Sequence, residues 1–464
     1  MSQRLSLRLV APLLLSLLLI PGCMVGPKYV QAPPKPEVTY TGALNNDTSA
    51  LVKWAQVYDD PVLVELIRTT LDSNRTLWQA VARVEEARLI AGAVKADLYP
   101  QLNYRVTGGG GSAGTDARRQ GSGVDGGFFE AFGQINWEID IWGRLRHANR
   151  AAMAQYLAEQ HVRDAIRVGL VAETASNYFL LRDLDNRLII ARRTLASRQE
   201  NTRIITARFE EGYTNEVDKL QAVQQEQIAA AAIPNIERQV RQVENALRAL
   251  LGQGPGPVAR GRPNTEQQLD PDVIPMGLPS QLLERRPDIQ AAEANVQRLT
   301  ERAGVAVANR FPTLSLTGLL GFASPELGTL ISGDGAVANG FGQLTSPLFN
   351  WNRNRNLAEA AKQRIVAAAA ERDQTVFQAF IDVDNALEYY RTYTAENAAR
   401  LAQADAARRA LELSKARYDF GYTSYLEVLI AENALFDAEL QESATRAQRL
   451  NSTVALFRAL GGGW

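Results

Sequence analysis

Cysteine and histidine are nearly missing from this chain of 464 residues, which carries one cysteine, Cys23, and two histidines, His147 and His161. A lone cysteine excludes an internal disulfide, and so few soft ligands exclude a zinc site of the usual Cys/His spacings. An excess of one charge is missing too. With 50 Lys+Arg against 51 Asp+Glu, the net charge of -1 gives no reason to expect nucleic acid as a partner. Beyond residue 22 no run of eighteen apolar residues occurs, so no spanning helix is expected in the mature chain. Any route through a bilayer then has to be a closed β-barrel. The glycine run Gly108 to Gly111 lacks a following Gly-Lys-Ser/Thr, so it is not a phosphate cradle and reads as a flexible extracellular loop. No nucleophile–base constellation stands out, and an enzyme is not expected.

What is present begins with Arg4 and Arg8, followed by an apolar run from Leu9 to Ile20. That is the basic n-region and h-region of a signal peptide, too short for an ordinary spanning helix. It closes on Ile20-Pro21-Gly22-Cys23. A small residue before the only cysteine resembles a bacterial lipoprotein cleavage site, with residues 1–22 removed and lipid added at Cys23. A plain signal peptide leaving a free thiol is the alternative reading. Met24, where an aspartate would retain the lipoprotein elsewhere, resembles the sorting signal for the outer membrane.

The chain repeats itself. A shift of 209 positions carries ARFEEGYTN (Ala207 to Asn215) onto ARYDFGYTS (Ala416 to Ser424), Trp142 onto Trp351, Arg144 onto Arg353 and Gly252 onto Gly461. A shift of 212 carries Tyr99-Pro100 onto Phe311-Pro312. The period is too long for a solenoid unit and indicates an internal duplication. The expected organisation is a signal peptide (1–22), a lipid-anchored extended segment (23–53), a first repeat (54–255), a Pro/Gly-rich linker (256–277) and a second repeat (278–464).

Each half runs helix, two strands, then a long helical hairpin. The first helices are expected over Val62 to Lys95 and Gln281 to Asn309, each stopped by its aromatic-Pro pair. In the strand Phe129 to Ile141, Phe129, Ile135, Trp137, Ile139 and Ile141 alternate with Glu130, Gln134, Asn136 and Glu138. Period two with one apolar face suits a lipid-facing strand around water, or a soluble sandwich with one solvated face. Leu102 to Val106 and Leu314 to Phe322 repeat the pattern, and Ala336 to Phe349 shows it weakly. Leu145 to Phe209 and Arg355 to Tyr418 read as helices of some 65 residues, about 100 Å long at 1.5 Å per residue. Leu181, Leu184, Leu188, Ala191 and Leu195 form a 3-4-3-4 seam, and Leu426, Leu429, Asn433, Phe436 and Leu440 form another in the returning helix. The returning helices are Glu216 to Leu251 and Tyr425 to Leu460. Four strands cannot close a barrel, for which about eight are needed, so several copies must share one. Three copies supply twelve strands and room for water, which favours a trimeric channel.

Met24-Val25-Gly26-Pro27-Lys28-Tyr29 after the cysteine, and the run GLPSQLLERRPDI from Gly277 to Ile289, resemble TolC-type outer membrane factors. The likeness is to the NodT-type efflux lipoproteins of resistance-nodulation-division pumps. The resemblance implies an α+β membrane channel: a homotrimer with a 12-stranded outer-membrane β-barrel, four strands per chain, continued by a long α-helical coiled-coil tunnel across the periplasm. It implies a passive, gated exit duct for drugs or other small toxic compounds. The partners implied are a periplasmic adaptor (membrane fusion protein), an inner-membrane pump and outer-membrane lipid, with no cofactor beyond the lipid on Cys23. By motif, Arg417, Tyr418, Asp218 and Glu427 fall on gate positions. Ile430 stands where an aspartate ring is common, so either Glu427 or Glu432 supplies that charge or an apolar constriction gates by dewetting. Gly212, Tyr213 and Thr214, with Gly421, Tyr422 and Thr423, match the turns an adaptor grips. Read from the residues alone, Arg417 also suits a solvated helix-end cation, Tyr418 seam packing, and Asp218 a first-turn acid. The Arg285 to Pro287 stretch reads as structural, with Pro287 opening a helix. A second reading of the whole chain is a coiled-coil structural or adaptor lipoprotein of the periplasm.

Overall fold

The computed structural model describes residues 24–30, 60–111, 126–267 and 285–462. Cys23 and the Gly277 to Glu284 part of the family-like run lie outside the described residues. In chain order the elements are α1 (Pro61–Ser73), α2 (Arg75–Ala96), β1 (Gln101–Gly111), β2 (Gly126–Ile139), α3 (Arg144–Glu210) and α4 (Glu216–Leu250). They continue with α5 (Pro287–Ala308), β3 (Thr313–Ser324), β4 (Ala336–Thr345), α6 (Arg353–Asp419) and α7 (Tyr425–Ala459). The two long helices have 67 residues each and the two returning helices 35 each. Among the described residues no helix is long and apolar enough to cross a membrane.

The chain forms two compact units, each drawing on both halves of the sequence. One gathers the described residues 24–30 with Arg83–Glu159 and Ala291–Arg372. It holds a four-stranded antiparallel sheet in the order β1-β2-β3-β4. The register carries the apolar face through every strand. Leu102 lies opposite Ile135, Ile135 opposite Gly318, and Gly318 opposite Gly340, while Trp137 meets Leu316 and Ile139 meets Leu314. Partners across a register share a face, so all four strands turn their apolar residues the same way. The other face carries Asn103 opposite Gln134, and Asn136 opposite Thr317, with Phe132, Leu319 and Phe341 as interruptions. The fourth strand read weakly in sequence because its apolar face is mostly Ala336, Ala338, Gly340 and Gly342.

The same unit seats the segment that follows the cysteine. The Val25 amide donates to the Trp142 carbonyl at 3.1 Å. The Tyr29 hydroxyl donates to Glu293, whose carboxylate also takes Arg372 at 3.1 Å. The Trp142 indole stacks on Phe311 at 4.8 Å and donates to the Pro312 carbonyl at 2.8 Å.

The second unit comprises the described residues within 60–82, 160–290 and 373–464. Its main core joins Leu63 and Ile67 of α1 to Tyr178, Phe179 and Leu181 of α3, Leu247 of α4 and Leu450 of α7. Each such side chain contributes roughly 1.5–3 kcal/mol by leaving water. Asp60 organises its edge: it caps α1 at the Val62 and Leu63 amides and accepts from the Tyr178 hydroxyl (2.6 Å), the Arg262 amide (3.0 Å) and Gln267 (2.9 Å). Arg286 binds Asp382 and the last-turn carbonyl of Ala459, and Pro287 opens α5. Arg286 thus sits where the C-terminal dipole of α7 favours a cation.

Four expectations are corrected. The glycine run Gly108 to Gly111, expected as a loop, lies in β1 and pairs with Gly126 to Phe129 of β2, whose ladder holds the backbone extended. The helix expected over Val62 to Lys95 is broken at Asn74, whose extended backbone ends α1. Its side chain accepts from the Thr76 and Leu77 amides to start α2 and donates to the Leu250 carbonyl. A short amide that can cap and reach out together outweighs continuous helix propensity there. Ile141 lies beyond β2, because Asp140 leaves the strand to bind the Leu145 and Arg146 amides and cap α3. Leu426 is exposed rather than part of the α7 seam, which is entered by Tyr425, Val428 and Leu429.

Candidate functional site

The residues singled out by motif converge on the two turns that join the paired helices. In the first, Gly212 takes φ +78°, its amide donates to the Phe209 carbonyl at 2.9 Å, and the Tyr213 amide reaches the Arg208 carbonyl at 2.8 Å. In the second, Gly421 takes φ +75°, with bonds to the Tyr418 carbonyl at 3.0 Å and from Tyr422 to the Arg417 carbonyl at 2.8 Å. This is a left-handed helix stop that glycine adopts without strain and that satisfies the last carbonyls. After each turn a threonine hydroxyl reaches the acid of the returning helix: Thr214 to Asp218 at 2.6 Å, and Thr423 to Glu427. Asn215 accepts the Asp218 amide at 2.9 Å and completes the first cap. The tips present aromatic rings to solvent, Tyr213 being 79 % and Tyr422 77 % exposed.

Behind the tips the structure groups the expected gate residues differently from one another. Arg417 pairs with Glu427 of its own hairpin at 3.6 Å. Both are substantially exposed, so the pair contributes little by itself. Tyr418 packs against Tyr425 (5.6 Å between centroids) and beneath Arg208, whose guanidinium lies 5.0 Å from its ring centre. Asp218 is held by Thr214 and lies near Tyr425. Burial pushes the Tyr425 phenol upward, helped by the charges of Glu432 and Asp218, so it stays protonated at any ordinary pH. Ile430 is 62 % exposed on α7.

Two contributors escaped the sequence reading. Arg208 ends the first long helix beside its own turn, yet it covers a ring of the second hairpin. Arg198 continues the seam spacing of α3 after Leu195 and is buried there as a charged residue. A charge at an expected seam position was the signal. Among the described residues no cluster of His, Cys, Asp or Glu is arranged to hold a metal ion.

Two long hairpins, paired tip turns and a one-sided apolar sheet are the features by which known proteins can be compared. The model of the outer membrane efflux protein family matches residues 66–253 and 278–462. The chain belongs to the outer membrane efflux protein family. It is 34% identical over 459 residues to outer membrane protein OprJ of Pseudomonas aeruginosa, covering 97% of this chain and 95% of OprJ. It is 29% identical to the probable outer membrane lipoprotein SilC of Salmonella typhimurium, covering 97% of each. The open state of the outer membrane channel MtrE of Neisseria gonorrhoeae superposes with a TM-score of 0.87 at 28% identity, over 95% of this chain and 98% of MtrE. As a member of the efflux family, the protein works in the outer membrane as the exit component of an efflux system.

Proposed function

We propose that three copies of this outer membrane efflux protein close one barrel and one helical tunnel, forming a passive duct with a gate at the hairpin tips. The observation that carries this reading is the sheet: four strands in unbroken register, one face apolar as far as Ser324 at the end of β3, and both edge strands ending without a further partner among the described residues. In lipid such edges leave backbone groups unpaired at several kcal/mol each, and neighbouring copies relieve that. The equal helix lengths, the paired left-handed glycines Gly212/Gly421 and Gly252/Gly461, and the two family-model matches support an internal duplication.

No chemical step is assigned and no cofactor is needed. The inner-membrane pump supplies the energy, and an adaptor grips the turns at Gly212–Thr214 and Gly421–Thr423 through the exposed Tyr213 and Tyr422. The gate is formed by Arg417, Tyr418, Asp218 and Glu427, with Ile430 as an apolar ring where three copies face one another. Lipid on Cys23 is the anchor. Val25, two residues on, is bound to the Trp142 carbonyl where β2 gives way to α3, which holds the start of the described chain at the end of the sheet. Heat-resistant trimers in outer-membrane fractions, with ion conductance in planar bilayers, are the expected results. A monomer without conductance would overturn the reading.

A further inference from the structure

The seam of α3 is apolar through Leu181, Leu184, Leu188, Ala191 and Leu195, and its next position is Arg198. That arginine is 2% exposed. It donates to the Gln225 carbonyl of α4 at 2.8 Å and to the Asn433 side chain of α7 at 2.7 Å. Its guanidinium also lies 5.3 Å from the Phe436 ring centre. Asn433 is the polar member of the α7 seam. The polar seam positions of the two hairpins therefore meet, and such a pair fixes the register of packed helices.

Next to Asn433 stands Glu432, 7% exposed. It accepts from Asn201 of α3 at 2.5 Å and from Lys415 of α6 at 3.0 Å. Its second oxygen, Oε2, and Nε of Arg198 are both buried without a hydrogen-bond partner among the described residues. Arg198 and Glu432 line one cavity of about 270 Å³. A buried guanidinium thus holds a neutral amide while a carboxylate with a spare acceptor adjoins that amide in sequence. Buried cations gain more from a carboxylate than from an amide. Glu439, about two turns further along α7, ties the hairpins again through Arg193 of α3, and is braced within its own hairpin by Arg408 of α6 at 3.2 Å.

We propose that Arg198 is an exchange latch between the hairpins, deeper than the tip gate. In the arrangement seen it holds Asn433. When the second hairpin turns on the first, it passes to Glu432, using the cavity as the space for the exchange. Two discrete bonding arrangements of one buried group are what a two-state element requires. The latch rests on the reading of this chain as a gated duct, with the arrangement seen as the latched one. Arg198 is a positioning residue here, since nothing requires it to touch what passes through.

The test uses full-length, lipid-bearing protein purified from outer membranes and reconstituted in planar bilayers. Asn433→Asp gives Arg198 a carboxylate in the latched arrangement, and Glu432→Gln weakens its alternative partner. Each is expected to lower the open probability roughly tenfold, as a coupling of ordinary size would. Arg198→Met is expected to remove the effect of both when combined with either. A purely structural role would change the heat resistance of the assembled protein but leave open probability unmoved. If Arg198→Met does not assemble, the two single variants decide: unchanged opening in both overturns the latch. Arg417→Ala serves as the tip control. Altered currents there, with unchanged Asn433→Asp and Glu432→Gln, refute the latch and leave the duct standing, whereas no conductance in any form refutes the duct itself.

Discussion

The guanidinium of Arg208 lies 5.0 Å from the centre of the Tyr418 ring, so a cation ending the first long helix covers an aromatic ending the second. The same arginine comes within 3.9 Å of Asp419, but that pair is exposed and contributes little. The ring contact is the larger effect, about 0.5–1 kcal/mol for a site of this exposure. Arg208→Ala and Tyr418→Ala are both expected to raise single-channel conductance. Tyr418→Phe keeps the ring, so it should change the currents less than Tyr418→Ala; equal effects of the two would show that the hydroxyl matters instead.

The glycines of the turns differ in what surrounds them. A Cβ on Gly212 meets nothing within 4 Å, so Gly212→Ala carries only the cost of left-handed backbone, about 1–2 kcal/mol. A Cβ on Gly252 (φ +64°) comes within 2.6 Å of the Ser73 carbonyl. Gly252→Ala is therefore expected to lower the melting temperature more than Gly212→Ala, and the reverse order in thermal denaturation would contradict this packing.

The two faces of the sheet make opposite predictions for neighbouring residues. Ile135→Arg places a charge on the apolar face, which costs about 2–4 kcal/mol near the middle of a bilayer. Gln134→Arg places the same charge on the polar face and should be tolerated. Recovery of assembled protein from outer-membrane fractions separates the two, and equal recovery would mean that the apolar face does not meet lipid.

Glu244 gives the fold a measurable acid response. Burial pushes its carboxyl upward, but hydrogen bonds from Arg260 and the Val258 amide, with the charges of Arg260 and Arg241, outweigh burial and hold it below the usual range. A depressed folded-state value means the contribution is present above the ordinary carboxylate range, about pH 4, and is lost as pH falls through the folded value. Glu244→Gln should then melt below the native protein at neutral pH and approach it in acid. A gap of constant size across pH would exclude this role.

Cys23→Ser is expected to yield protein without the acyl mass carried by the native form. Mass spectrometry decides the point, and a native protein with no acyl group would refute the anchor.

Helices and strands were legible because their signals are local. Long proline-free stretches, a 3-4 seam and strict alternation each report one element's own exposure to water. The misreadings arose where a side chain had two partners. Asn74 looked like one more helical residue because its bond to the Leu250 carbonyl lies far along the chain. Ile141 extended an alternation that Asp140 cuts short by capping the next helix.

The sequence by itself determined the recurring order of elements, the two glycine turns, the one-sided strands and, among the described residues, the absence of a spanning helix, since each follows from residue spacing. Tertiary structure alone decided which charges meet. Arg208 on Tyr418, Arg198 on Asn433 beside Glu432, and Asp60 at the hub of its loop all join residues far apart in the chain. Helix packing brings such groups within hydrogen-bond reach, and burial then makes their pairing obligatory.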